Sequence, residues 1–309
     1  ATWAGVRMLE AGGNAVDAAV ACAFALAAVE PWMCGLGGSG YMVVWKAAEK
    51  RSWVLDFQGM LPAAIDPADY PVDPAVPASI MGFPGVLDRR NIVGHRAITV
   101  PGAVRGLSQG SSRFGRLPWD RVLEPAIALA RRGLPVDWFA TLQIALAAAD
   151  LARDPMAASI FLPNGAPAQP EQFRPMAALA RTLETLASAG PDTFYTGPLA
   201  EAIIRDLEAG GSRIDGDDLA SYAVLEHEAL TGTHRDAALH TAGPTSGGPR
   251  LIETLAHIER HLDPSEGIGA RSWKVYADAL NAAWKSHKAR IGRTTEKGGC
   301  TSHLSAVDA

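Results

Sequence analysis

Near the end of the chain stands "GGCTSHLS", residues Gly298–Ser305, which contains a threonine placed to be an unusual nucleophile. A threonine hydroxyl is weakly nucleophilic by itself, but a threonine at a chain terminus carries an α-amine with a pKa of about 8 that can act as its base. Such a terminus has to be made. Attack of the Thr301 hydroxyl on the carbonyl of Cys300 would replace an amide by an ester, and hydrolysis of that ester would free Thr301 as the first residue of a second polypeptide. Gly298 and Gly299 suit a strained, exposed peptide. The alternation that follows places His303 and Ser305 on the face that carries the nucleophile. The same residues also read as an ordinary strand start, after which the sequence stops, so the expectation is of a chain cut short just past a cleavage junction.

Other chemistry is thinly represented. "GLGGSG" (Gly35–Gly40) has glycines enough for a phosphate loop, but it follows a helical run and leads into a strand, whereas anion binding needs a strand before the glycines and a helix N-terminus after them. It reads instead as backbone in close approach to a neighbour. The three cysteines, Cys22, Cys34 and Cys300, form no CxxC pair, which argues against a disulfide framework and a zinc site. His95, His240 and His287 have no companions at ligand spacing and read as structural, so neither metal nor cofactor is expected. The net charge of -5 arises from acidic and basic residues mixed along the chain, leaving no basic face for nucleic acid. The most apolar run, Ala18–Val29, falls short of the roughly 18 residues needed to span a bilayer and is bounded by Asp17 and Glu30. It reads as a buried helix. The sequence opens on "ATWAG", without an initiator Met or the basic and apolar regions of a signal peptide, so any targeting segment is expected to have been lost already, and the residues do not give the compartment.

The elements that must position this chemistry follow from periodicity. With 309 residues, 48% of them hydrophobic, the chain is long and apolar enough for a large core. Helices are predicted over Thr2–Glu10 and Ala15–Val29, with Asn14 as cap of the second. A β-hairpin follows, Tyr41–Trp45 with Ser52–Phe57, and then a Pro-, Asp- and Gly-rich surface excursion over Pro62–Gly94. Further helices are predicted at Trp119–Arg132, Phe139–Ala152, Met176–Ser188, Leu199–Ala209, Leu251–His261 and Ser272–Arg290, and strands at Ala223–Leu230 and Ala237–Ala242. The polar connector after the last helix should be exposed and mobile.

Several motifs in order resemble the gamma-glutamyltransferase family of N-terminal nucleophile hydrolases. "GVRMLEAGGNAVDAAVACAFALAAVEP" is similar to the family's opening, "GLGGSGYMVV" to its turn into the first hairpin and "VLDFQGMLP" to its substrate-loop strand. "ITVPGAVRGL", "GPDTFYTGPLAEAI", "DLASY" and "PTSGGPRL" follow in the family's order, and "TSHLSAVD" stands at its catalytic strand. The resemblance covers essentially the whole chain. It implies an α+β fold, the αββα sandwich, with residues 1–300 as a helix-rich large-subunit portion and 301–309 as the start of the small catalytic subunit. It also implies that Thr301, freed by cleavage after Cys300, is the catalytic nucleophile toward γ-glutamyl amides of the glutathione type. Partners are then the small-molecule substrate and the chain's own small subunit, which in the family supplies the oxyanion site; without it the 309-residue piece should be inactive. By family habit the periplasm or the exterior is favoured.

Two departures qualify the resemblance. The family's substrate-loop strand ends in Asp-Phe-Arg, whose arginine holds the glutamyl α-carboxylate; here Gln58 stands in its place. A hydrogen bond to a charged group contributes about 1.5–3 kcal/mol and a neutral one about half that, so preference for a free glutamyl carboxylate should weaken. Arg89, Arg90, Arg96 and Arg105 are candidates to substitute. Asp56 is a candidate for the substrate amine or a turn-forming residue, and Ser246, Gly247 and Gly248 match a loop near the family's site or serve to start a helix. The second departure is the short connector before Thr301, which leaves less room for the cleaved end to move aside. The alternatives are an acylase for glutaryl or cephalosporin-type amides on the same fold, and a non-catalytic binding relative.

Overall fold

The computed structural model describes residues 1–77, 84–263, 265–291 and 306–308. The expectations for Cys300, Thr301 and the connector after Ile291 fall outside these residues. Helices α1 (Thr2–Glu10) and α2 (Ala15–Val29) form where the sequence predicts them. Asn14 caps α2, its side-chain oxygen accepting from the amides of Val16 at 3.0 Å and Asp17 at 3.1 Å, while Asp17 Oδ2 accepts from the Asn14 amide at 2.8 Å. Asp17 is fully buried and also accepts from the amides of Arg116 at 2.9 Å and Leu117 at 3.3 Å. One carboxylate therefore fixes both the start of α2 and the turn at residues 115–117. Apart from Asp17 the α2 helix is apolar, and it has buried residues from Val16 to Ala28 with Ala19, Cys22 and Ala23 partly buried, as a helix that is apolar nearly all round and lies within a core must.

Strands β1 (Gly40–Lys46) and β2 (Arg51–Phe57) form the hairpin, with Tyr41 opposite Asp56. Of the excursion over 62–94, the described parts are short turns and one isolated bridge, Val72 with Val86, and a second bridge, Met60 with Val100, flanks it. Helix α3 (Ala103–Phe114) has no counterpart among the predicted elements. Its inner face is built from Gly106 and Gly110, with Gly102 as its cap: a Cβ at Gly106 would overlap the Phe57 ring, and one at Gly110 would lie 2.7 Å from Met42 Sδ. Glycine at this one-turn spacing brings the helix backbone directly onto the hairpin, and with Ser108 and Ser111 also buried the inward side has few apolar residues besides Val104 and Phe114 for periodicity to register.

The helical middle comprises α4 (Trp119–Arg132), α5 (Trp138–Leu151), α6 (Pro155–Phe161), α7 (Ala177–Ala189), α8 (Pro198–Ala209) and α9 (Gly216–Ala220), with the short pair β3 (Leu134–Pro135) and β4 (Phe173–Arg174). Helices α2, α4 and α7 pack in sequence around a main core of Phe24, Leu55, Leu123, Leu183 and Leu186. A smaller core, centred on Leu134, Val136, Ile144 and Met176, lies beneath α5 and the β3–β4 pair. The strand expected over 223–230 is two strands. Residues Leu225–Glu228 form β5, which pairs antiparallel with β2 to give the sheet order β1-β2-β5. The Ala229 amide still reaches Ser52 O at 3.0 Å, and the chain then departs as β6 (Leu230–His234) to pair with β7 (Ala237–Thr241). That ribbon rests on α10 (Gly248–His261), which packs against α11 (Ala270–Ile291). Ala306 packs against the main core.

Candidate functional site

The end of the three-stranded sheet gathers most of the candidates. Asp56 is the penultimate residue of β2, opposite Tyr41 on β1 and Leu225 on β5. The Tyr41 hydroxyl lies 2.7 Å from Thr245 Oγ1, which ties the hairpin to the loop over 243–247. Gly243 in turn faces the His227 ring of β5, where an added Cβ would stand 3.4 Å from Cε1. Residues 56 and 58 and the "PTSGG" loop are thus brought to one place from positions about 190 apart in the sequence, a proximity that no local pattern encodes.

Within that place the roles separate. The Asp56 carboxylate accepts from the Gln58 amide at 3.2 Å, two residues on, which is the Asx turn expected of an Asp at a strand end. It also acts on two phenols. Burial raises the Tyr41 pKa, the hydrogen bond with Thr245 opposes the rise, and the Asp56 charge adds to it. Tyr222 is pushed up to about 12, by burial first and by Asp56 second. Both phenols are therefore neutral hydrogen-bonding groups at neutral pH and cannot act as bases there. The Gln58 side chain is half-exposed and makes no hydrogen bond among the described residues, so its amide is free to donate to a ligand.

The loop residues are engaged in building α10. Ser246 Oγ donates to Gly243 O at 2.8 Å and accepts from the Gly248 amide at 2.9 Å. Gly247 is the cap residue, and a Cβ on the buried Gly248 would overlap the Thr241 side chain. These glycines serve a helix start packed against β7. The four arginines are engaged elsewhere. Arg89 forms a two-pronged pair with Asp150 at 2.8 and 3.0 Å, and Arg90 pairs with Asp88 at 2.8 Å. Arg105 pairs with Asp192 and lies 4.2 Å over the Tyr195 ring, while Arg96 adjoins Gly211 and Asp69. Among the described residues none of the four hydrogen-bonds to Gln58.

The glycine-rich loop has the role its context suggests. Gly38 O accepts from the amides of Gly102 at 3.0 Å and Ala103 at 2.9 Å, so the first amides of α3 are spent on a backbone carbonyl and are unavailable to a phosphate. His95 contacts Asp206 at 3.1 Å, His240 stacks near Trp45 and His287 is buried beside Trp284. Among the described residues no group of three or more metal-ligating side chains is assembled, and no helix is long and apolar enough to cross a membrane. A separate open cleft of about 470 Å3, lined by Tyr195, Thr196, Glu201, Ile204 and Arg205 among others, includes none of the candidates. Tyr222, Tyr41 and Thr245 are the residues that sequence reasoning passed over. "DLASY" contained the first, with no local signal of its partner.

The comparisons with known proteins agree with this geometry. The sequence model of the family described as gamma-glutamyltranspeptidase matches residues 1–308. Acylase ACY 1 proenzyme of Pseudomonas sp. (strain SE83) is 36% identical over 286 residues, which is 92% of this chain and 50% of that protein. Glutathione hydrolase proenzyme of Escherichia coli is 32% identical over 295 residues, 94% of this chain and 49% of that protein. Gamma-glutamyltranspeptidase of Helicobacter pylori superposes with a TM-score of 0.83 at 28% identity, covering 94% of this chain and 81% of that one. For gamma-glutamyltranspeptidase of Pseudomonas nitroreducens complexed with L-DON the values are 0.80, 29%, 93% and 83%. The helices and small antiparallel sheets are those of the αββα N-terminal nucleophile hydrolases. The chain belongs to the gamma-glutamyltranspeptidase family, and it spans about half the length of the curated relatives it matches.

Proposed function

We propose that the protein is an amidohydrolase and acyltransferase for γ-glutamyl amides, matured by cleavage between Cys300 and Thr301. The observation that carries this reading is the family match running unbroken from the first residue to Asp308, through the threonine itself. Residues 1–300 then correspond to the large subunit, and Thr301 begins the small one. In maturation the Thr301 hydroxyl adds to the Cys300 carbonyl, the Thr301 amide nitrogen leaves as an amine, and water hydrolyses the resulting ester. In turnover the freed α-amine takes the hydroxyl proton as the oxygen attacks the side-chain amide carbonyl of the substrate. The amine product departs with that proton, and water or an acceptor amine then removes the acyl group.

A second reading is an acylase for glutaryl or related amides that lack the α-amine. Gln58 gives up the two-pronged, charge-assisted grip that an arginine provides on a carboxylate, a group both acyl chains carry, so it relaxes acyl selection without itself choosing between them. The 36% identity to a Pseudomonas acylase proenzyme supports this second reading.

The test uses the purified full-length protein. Two bands on a denaturing gel that merge into one in Thr301→Ala are expected, and a single uncut wild-type chain would overturn the reading. A γ-glutamyl anilide and a glutaryl anilide are then compared in wild type and Gln58→Arg. The arginine should lower KM for the glutamyl compound by about tenfold, the worth of a charge-assisted over a neutral hydrogen bond. A glutamyl preference that is already strong in wild type and indifferent to Gln58→Arg would remove Gln58 from acyl recognition.

A further inference from the structure

We propose that Tyr222 and Asp56 are positioning residues that together hold the main chain of Gln58 and so aim its side chain at the acyl group of the substrate. The inference rests on the reading of Gln58 as an acyl-recognition residue. Strand β2 ends at Phe57, and pairing resumes only at the bridge between Met60 and Val100. Gln58 lies in the gap between them, and both of its backbone polar groups are taken by side chains. Its amide donates to Asp56 Oδ1 at 3.2 Å, and its carbonyl accepts from the Tyr222 hydroxyl at 2.8 Å.

The second of these contacts crosses 164 residues of sequence and is itself held firmly. The Tyr222 ring is buried and stacks on Tyr195, with centroids 5.9 Å apart and planes 17° apart. Tyr195 is anchored in turn: its hydroxyl donates to Pro101 O at 3.0 Å and accepts from the Arg105 amide at 2.9 Å. Gly102 closes the arrangement, since a Cβ there would run into both the Phe57 carbonyl and the Tyr222 hydroxyl. The start of α3, the second residue past α9 and the end of β2 thus meet on one peptide unit. Fixing the amide and carbonyl of a residue fixes its Cα frame and hence the direction of its Cα–Cβ bond. An uncharged amide depends on that direction more than an arginine does, because it has neither long-range attraction nor a two-pronged grip to compensate for misalignment. Burial and the Asp56 charge keep the Tyr222 phenol protonated, so the donor persists throughout the neutral range.

The test is a double-mutant cycle in the full-length protein: Tyr222→Phe, Gln58→Ala and the pair, each assayed for self-cleavage and for steady-state kinetics on the two anilides. Phenylalanine keeps the stacked ring and deletes the hydrogen bond. Self-cleavage should be retained, KM should rise about three- to tenfold with kcat within about twofold, and the rise should vanish on the Gln58→Ala background. An unchanged KM, or an equal rise on both backgrounds, would overturn the proposal, the latter because Tyr222 would then act on the fold at large. Amide exchange supplies a readout that needs no turnover. In Tyr222→Phe the amides of residues 58 and 59 should exchange about tenfold faster while those of residues 52–55 do not change. Equal exchange at 58 and 59 refutes the clamp outright. Faster exchange there in a protein that cleaves neither anilide leaves the clamp standing and refutes the substrate reading alone.

Discussion

At the scale of single residues, Asp56 shows how a charged candidate near a site can be explained by the backbone. Its carboxylate serves an Asx turn, which requires an acceptor oxygen and no charge. Asp56→Asn should therefore keep KM within about threefold, whereas Asp56→Ala, which deletes the acceptor, should cost about 1 kcal/mol in stability and raise KM as well. A tenfold rise in KM with asparagine would instead put the charge on the substrate amine. The charge does matter to its neighbours. Removing it takes away part of what opposes the phenolate at Tyr41 and Tyr222, so in Asp56→Asn both phenols should ionise at lower pH in an ultraviolet titration. Tyr222 also has a consequence for stability. A phenol raised from 10 when unfolded to about 12 when folded stabilises the fold fully below pH 10, and that contribution is lost as pH rises through 12. Tyr222→Phe should accordingly lose less stability than wild type between these two pH values, measured by denaturant unfolding at each.

Among the elements, α3 shows packing overriding propensity. Alanine is a better helix former than glycine by about 1 kcal/mol, so Gly106→Ala would stabilise an isolated helix. Here the added methyl meets the Phe57 ring, and overpacking costs about 1–3 kcal/mol. The net change should be a loss of up to about 2 kcal/mol, whereas Gly216→Ala, whose methyl would enter open space at the start of α9, should be neutral or mildly stabilising. Thermal melts of the two variants decide it, and equal shifts would mean that α3 can stand away from the hairpin. The α2 start makes a similar case for polar groups. Asp17→Ala strands the buried amide of Asn14 and the partly buried amides of Arg116 and Leu117, and a loss of about 2–4 kcal/mol in unfolding free energy is expected.

The molecule as a whole has a large core and a small satellite, and the two differ in how much they bury. The satellite under α5 holds few fully buried side chains, and α5 leaves Trp138, Leu142 and Leu146 exposed on one face. Under native conditions the amides of α5 and α6 should exchange through a partial opening, at a lower free energy than those of α2 and α4. Equal protection would mean that the two cores unfold as one unit.

Helices and the hairpin were legible because each carries its own pattern: Asn14 and Asp17 form a capping box three residues apart, and α4 came out with its predicted ends. The same local logic missed α3, whose buried face is largely glycine and serine, and read one strand across 223–230, because a switch of partner at Ala229 leaves no mark on alternation. The sequence alone also carried the family, through ordered motifs, and the substitution of Gln58 for an arginine. What required the tertiary structure was everything that depends on two distant segments meeting: the Tyr222 hydroxyl on the Gln58 carbonyl, Tyr41 against Thr245, and the engagement of Arg89 and Arg105 by carboxylates elsewhere. A residue's type states which bonds it can make, but which of them it does make is set by what the fold brings within 3 Å of it, and only long-range packing decides that.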